Sequence, residues 1–420
     1  MFRFIHASDL HIDSPLRGLD RYEGAPVERL RTATRSALER LVDKAIGERV
    51  DFVIFAGDLY DCDWQDFHTG LFFREQMVRL GRANIRVFIV QGNHDAQGVI
   101  TRQLTLPPNV TVFSSRSAHT IRIDELSVAI HGRSFPERAV DEDLVPSYLA
   151  PVPGFFNIGM LHTSLTGRVG HDTYAPTDLP TLIAKGYDYW ALGHVHAREV
   201  ICQQPRIVFP GNLQGRHANE TGAKGCELVT VEAGRIDAEF IALDVVRWSQ
   251  VSISLNGVDQ LEALSGVFHD AMEPLLIGTT DRLQAVRVTL TGSTALHRIE
   301  ASQPGTLAAA LHAAAQDVSE AEIWIEQVRL DLSTPLDRAQ AALRQDAVGE
   351  LVRLVDSIAG YPTELMRRAQ ADLGDLLGSM PQEVAAGDVP RLDDVEGLRR
   401  LLMDAEATVL ARLAASGEGA

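Results

Sequence analysis

Lysine is nearly missing from this chain of 420 residues: Lys44, Lys185 and Lys224 are the only ones, and arginine carries almost all the positive charge. No Lys/Arg run and no basic tail occurs, and the formal net charge is −18. Duplex DNA binding is driven largely by neutralising phosphates. A broad basic groove is therefore excluded, and any nucleic-acid contact has to be local, metal-assisted or helped by a partner. The deficit is uneven. Residues 1–245 hold 25 Lys+Arg against 31 Asp+Glu, and residues 246–420 hold 14 against 26. Cysteine is scarce too: Cys62, Cys202 and Cys226 are scattered, with no Cys-x-x-Cys pair. That pattern excludes a disulfide framework and disfavours a thiolate zinc site, and it suits free thiols in a reducing compartment. No apolar run reaches about 18 residues, so no transmembrane helix or membrane role is expected. The first residues lack a signal-peptide pattern and carry Asp9 and His11 instead, so the expected location is cytoplasmic.

Apolar residues make up 45 % of the chain and no stretch is low in complexity, which implies a packed globular protein of two or three domains. Short apolar β patterns cover residues 3–8, 51–56, 85–90, 110–113, 120–123, 127–130, 157–161, 187–192, 206–209, 227–231 and 235–243. Helical patterns cover 28–48 and 67–80, the first with Leu30, Ala33, Ala37, Leu41 and Ala45 on one face. Strand and helix alternate first, and many strands follow. The expectation is an α/β protein with two packed sheets and helices outside. Near Val246 the order becomes strand 250–255, helix 259–272, strand 282–290, helix 305–316 and strand 322–330, a small α/β unit. Helices are expected over 336–358, 363–377 and 392–414, broken at Gly360-Tyr361-Pro362 and over 381–390. The resulting division is 1–245, 246–334 as a small capping domain, and 335–420 as a helical region.

Five short motifs hold metal-ligand residue types, and each stands where a β pattern ends. They are Asp9-Leu10-His11, Gly57-Asp58-Leu59-Tyr60-Asp61, Gly92-Asn93-His94-Asp95, His162, and Gly193-His194-Val195-His196. Singly they are weak; a lone His162 is more often a packed histidine than a ligand. Jointly they are specific, because glycine lets a chain turn sharply at a sheet edge and α/β sheets carry ligands at the carboxyl ends of strands. Carboxylates, imidazoles and one amide suit Mn²⁺, Fe²⁺ or Zn²⁺. Two ions about 3.5–4 Å apart need a bridging carboxylate and clamp an in-line displacement at phosphorus.

These motifs resemble those of the calcineurin-like metallophosphoesterase superfamily. Within it, the chain resembles SbcD-type DNA repair exonucleases, most closely the YhaO-like branch, through His6-Ala7-Ser8-Asp9-Leu10-His11-Ile12-Asp13-Ser14-Pro15-Leu16 and Pro210-Gly211-Asn212-Leu213-Gln214-Gly215-Arg216-His217, followed by Glu220, Gly222, Lys224 and Gly225. The resemblance implies a two-sheet metallophosphoesterase sandwich and two divalent metal ions, with Mn²⁺ the first choice. It implies Asp9, His11 and His196 on the first ion, Asn93, His162 and His194 on the second, and Asp58 bridging. It implies that His94 protonates the leaving oxygen while a metal-activated water attacks, and that Asp61 orients His94. It also implies a DNA substrate, an SbcC-type coiled-coil ABC ATPase partner and a homodimer through the phosphoesterase domain.

Plainer readings stand beside these. Asp13 and Asp95 are as readily turn residues as hydrogen-bond partners of the site. For Arg216, His217 and Lys224, a loop whose glycines merely permit tight turns is the favoured reading. His68, His119 and His131 have no motif partner, while His171 stands in a loop that could line the cleft. Two functions compete with a nuclease: a small-molecule (cyclic or dinucleotide) phosphodiesterase with the same site, and a subunit that is slow until its ATPase assembles.

Overall fold

The computed structural model describes residues 1–14, 24–61, 67–96, 105–165, 174–279, 281–318, 322–335, 337–379 and 391–417. Cys62, His171, Pro15, Leu16, Leu336 and the break expected over 381–390 lie outside the described residues. The chain divides into two compact units, residues 1–249 with 281–285, and residues 250–280 with 286–420.

The first unit is built on two six-stranded sheets. One contains β1 (Phe2–Ala7), β2 (Phe52–Ala56), β3 (Arg86–Val90) and β4 (Val110–Val112), with β11 (Gly225–Glu232) and β12 (Arg235–Ala242). Its order is β12-β11-β1-β2-β3-β4. The other contains β5 (His119–Ile123), β6 (Val128–Gly132), β7 (Phe156–His162), β8 (Tyr189–Gly193), β9 (Glu199–Gln203) and β10 (Arg206–Phe209), in the order β5-β6-β7-β8-β10-β9. β1, β2, β3 and β4 run parallel, as do β6, β7, β8 and β10. Their carboxyl ends therefore share one edge of each sheet.

Both faces of these strands are covered, so they read as near-continuous apolar runs. Phe4, Phe52, Ile54 and Phe88 point between the sheets against Ile130, Ile158 and Tyr189. Phe4 and Phe52 stack with ring centroids 5.0 Å apart; each buried ring stabilises the sandwich by about 1.5–3 kcal/mol. Alternate residues Ile5, Val53 and Phe55 face outward. They meet α1 (Val27–Gly47) and α2 (Phe67–Arg82) through Ala37, Leu41, Phe73 and Met77. Trp190, Leu192, Ile207 and Phe209 cover the outer face of the second sheet with Tyr148 and Leu182, the latter from α3 (Leu179–Ala184). The expected class, two sheets with helices outside, is the observed one. The short helix α3 and edge strand β9 have no counterpart in the sequence pattern, because neither carries a long periodic apolar face.

A three-stranded sheet, β13 (Val246–Ser254), β14 (Leu283–Ser293) and β15 (Ile323–Ser333), supplies the second unit with β15 and all but the first residues of β13 and β14. Its apolar face packs on α4 (Ala263–Leu276), α5 (Leu296–Ser302) and α6 (Thr306–Gln316). The single helix expected over 336–358 is two, α7 (Arg338–Ala342) and α8 (Ala347–Ala359). Asp346 explains the break: its carboxylate accepts from Gly349 N at 3.1 Å and caps α8. α9 (Pro362–Ser379) and α10 (Val395–Gly417) follow, and α10 packs on α5, α8 and β15. Among the described residues, no helix is long and apolar enough to cross a membrane.

Candidate metal centre

The site grows from the loops that leave β1, β2, β3, β7 and β8. Past Ala7 the chain continues to zip against the loop after β2: Asp9 N bonds Gly57 O at 3.0 Å, His11 N bonds Asp58 O at 3.1 Å, and Ile12 N bonds Leu59 O at 3.0 Å. These bonds hold Asp9, His11 and Asp58 at φ of 52°, 42° and 54°, and His194 stands at 102°. Left-handed backbone costs an ordinary residue roughly 1–3 kcal/mol and persists only where its surroundings enforce it. Four of the residues that carry the ligand side chains stand in this region.

Three groups of these side chains bring their ligand atoms within 4.8 Å of one another: Asp9, His11 and His196; Asp58, His162 and His194; and His11, Asp58 and His94. Asp58 Oδ2 lies 3.4 Å from His162 Nε2 and 3.8 Å from His11 Nε2, between the first two groups. Asn93 Oδ1 is 3.0 Å from His162 Nε2. Asp9 accepts from His194 N and from the Ser8 hydroxyl, which ties the two sheets together at the centre.

The histidines test whether a cation fits. His11 Nδ1 is 2.7 Å from Asp61 Oδ1, and His196 Nδ1 is 2.7 Å from Glu220 Oε1. With both Nδ1–H groups donating to carboxylates, both Nε2 atoms present lone pairs, and they face each other at 3.2 Å. A cation between them satisfies both lone pairs at once. His162 repeats it: Nδ1 donates to Ala56 O at 2.9 Å while Nε2 faces Asn93 and Asp58 oxygens. Burial disfavours charge on His162, yet the Asp58 carboxylate outweighs it and holds the ring's pKa at about 9. Four imidazoles, two carboxylates and an amide oxygen suit a borderline divalent ion better than Ca²⁺. The residues present therefore fit two ions, with Asp9, His11 and His196 able to hold one, Asn93, His162 and His194 the other, and Asp58 between.

His94 has its side chain 35 % exposed, against 27 % for His196 and 1 % for His11. Its backbone N bonds Asp58 Oδ1 at 3.0 Å. Its Nδ1 lies 3.2 Å from Asp61 Oδ1. Burial lowers its proton affinity, but Asp61 and Asp58 raise it more, so the net shift is upward. Asp61 thus addresses two rings, and its shorter contact, 2.7 Å, goes to His11.

Asp95 and Asp13 resolve differently. Asp95 accepts from Leu59, Tyr60 and Gly92 N–H groups and braces the loops after β2 and β3. Asp13 is held by Arg35 and Thr69, away from the ligand atoms. Arg216 and Lys224, on a loop whose Gly211 and Gly222 do turn at positive φ, also contact the residues around His196. Arg216 bonds Glu220 at 3.2 Å beside His196 Nδ1, and Lys224 Nζ donates to His196 O at 2.8 Å. Glu220 is part of the family-like stretch in the sequence but has no role assigned there; the structure places it on His196. His131 bonds Thr120 and Asn157 inside the second sheet, and His119 packs on Phe113.

Glycine is required where the loops cross. Gly57 has φ 96°, and a Cβ there would sit 2.3 Å from His162 Nδ1. A Cβ on Gly92 would sit 2.2 Å from Asp58 Oδ1. Gly92→Ala should therefore displace Asp58, cost about 1–3 kcal/mol of stability and reduce metal uptake. Thermal melting with metal analysis checks this, and an unchanged melting temperature with full metal content would refute it.

Comparison with known proteins adds sequence kinship to this geometry. Residues 2–198 match the family described as Calcineurin-like phosphoesterase, and residues 248–333 match the one described as Metallophosphoesterase YhaO, middle domain. The Bacillus subtilis (strain 168) protein named "Uncharacterized metallophosphoesterase YhaO" is 35 % identical over 335 residues, 79 % of this chain and 81 % of that protein. Two solved structures are remote likenesses at 12 % identity. TT1561 of Thermus thermophilus covers 57 % of this chain and 98 % of its own, with a TM-score of 0.34. A dimetal phosphatase from Danio rerio LOC 393393 covers 58 % and 96 %, with a TM-score of 0.37.

Proposed function

The chain belongs to the calcineurin-like metallophosphoesterases, hydrolytic enzymes, and from that premise we propose that it is a two-metal phosphodiesterase that cuts DNA. Asp9, His11 and His196 would hold the first ion, Asn93, His162 and His194 the second, and Asp58 both. Two dications there would polarise the phosphoryl oxygens and neutralise charge developing at phosphorus. The chain's own residues do the rest. Asp61 and Glu220 fix the His11 and His196 rings so that Nε2 faces inward. His94, more exposed than the ligands, has room to meet the leaving oxygen and donate its proton. The observation that carries the reading is the pair of facing Nε2 atoms with the Asp58 carboxylate beside them.

The test is direct. The purified protein receives Mn²⁺ with linear duplex, single-stranded and closed circular DNA, and separately a chromogenic phosphodiester. Metal-dependent DNA cleavage that His94→Gln loses is the expected result. Net charge of −18 and three lysines favour a second reading, a cyclic or dinucleotide phosphodiesterase. Turnover of those esters without DNA cleavage would select it.

The proposed partner is an SbcC-type coiled-coil ATPase, received on the C-terminal helices; a homodimer belongs to the same proposal. α8 and α10 bury Val352, Val355, Leu398 and Leu410, yet leave Leu354, Leu401 and Val409 exposed. A helix apolar beyond its buried stripe has surface for another helix. Leu354→Glu with Leu401→Glu should keep nitrophenyl phosphodiesterase activity and weaken ATPase binding about tenfold or more. Unchanged binding would move the interface elsewhere.

A further inference from the structure

We infer that Glu220 is a positioning residue that sets the affinity of one of the two metals, the one assigned to Asp9, His11 and His196. The inference rests on that ligand assignment. The carboxylate is almost enclosed, and each oxygen has a defined task. Oε1 takes His196 Nδ1 at 2.7 Å and Arg216 Nη2 at 3.2 Å. Oε2 takes Asn212 Nδ2 and Arg216 N, both at 2.8 Å. Asn212 and Arg216 fix the carboxylate, and the fixed carboxylate fixes the imidazole tautomer that leaves Nε2 free for a cation.

The loop that carries Glu220 also grips the backbone of its target. Lys224 Nζ and Asn212 N both donate to His196 O, at 2.8 Å and 3.3 Å. Gly211, at φ 81°, permits this approach, since a Cβ there would lie 2.9 Å from the same oxygen. His11 has a matching support in Asp61, and Arg216 reaches toward both carboxylates, 3.2 Å from Glu220 and 3.9 Å from Asp61. The match to the calcineurin-like family ends at residue 198. The residues that hold His196 in place thus come from a later segment, 210–225.

Removing the carboxylate acts in one direction through two effects. His196 loses its acceptor and turns freely, and Arg216 keeps only its 3.9 Å approach to Asp61 to balance its charge near the site. Outer partners of ligating histidines are typically worth about 10–100-fold in metal affinity. Full-length parent, Glu220→Ala, Glu220→Gln and His11→Ala proteins are titrated with Mn²⁺ by calorimetry, with bound metal counted and melting recorded. The expected result for Glu220→Ala is one Mn²⁺ bound as in the parent and the other about 10–100-fold more weakly. Glu220→Gln, which keeps the volume and a neutral acceptor, should fall between and serves if the alanine variant does not fold. Two ions bound at parental affinity in both Glu220 variants would overturn the inference. So would an equal loss of both ions together with a collapse in melting temperature, which marks Glu220 as a fold residue only. If His11→Ala itself keeps two ions at parental affinity, the ligand assignment fails instead, whatever Glu220 does.

Discussion

Asp58→Asn is expected to leave the protein folded but with clearly fewer than two metal ions per chain and almost no phosphodiesterase activity. The side chain is 2 % exposed, and its Oδ2 stands 3.4 Å from His162 Nε2 and 3.8 Å from His11 Nε2. One carboxylate thus serves both ligand groups. Both groups face its Oδ2, which shares the carboxylate's charge; an amide in its place brings none. Loss of a unit charge next to each dication should weaken both by on the order of 10²-fold or more, since a charge pair at such distances is worth several kcal/mol even at an effective dielectric near 20. The fold should tolerate the change. Asparagine, like aspartate, accepts a left-handed backbone such as the φ of 54° here, and its oxygen can still take the His94 N–H bond. Metal analysis after dialysis, with a melting curve, decides it. Two ions retained at full affinity would remove Asp58 from its bridging role.

What the sequence made legible follows from how the site is built. Each ligand motif closes an apolar β run that is covered on both faces, so strand and ligand are adjacent in the chain. Parallel pairing then sets them side by side: Ala7 lies against Phe55, and His162 against Gly193. Knowing the strand ends was enough to gather nine residues. Glu220 and Arg216 were not legible this way. They follow no strand end and act through a loop whose contacts to His196 and Asp61 depend on folding. The family resemblance paired Asp61 with His94, which lies 3.2 Å away; the 2.7 Å bond to His11 beside it appears only in three dimensions. In the second unit, apolar spacing ran through residues 343–346, and the cap at Asp346 that divides the helix outweighed it.

His94→Gln is expected to keep both metals and lose most of the rate on DNA. His94 side-chain atoms lie within reach of His11 and Asp58 ligand atoms, so a ligand role is the competing assignment. One observation separates it from the ligands: its firm bond to the centre is made by its backbone N, which glutamine keeps. Proton donation by a positioned group is worth about 10²–10⁴-fold, and glutamine cannot supply it. The size of the loss should depend on the leaving group. A nucleoside alkoxide needs its proton as the P–O bond breaks, whereas a nitrophenolate departs as a stable anion. The variant should therefore be impaired far less on a nitrophenyl phosphodiester than on DNA. Kinetics on both substrates, with metal content measured on the same samples, separate the roles. An equal loss on both substrates with two metals retained would make His94 a stabiliser of charge on the phosphoryl group rather than the proton donor. Loss of one metal would make it a ligand.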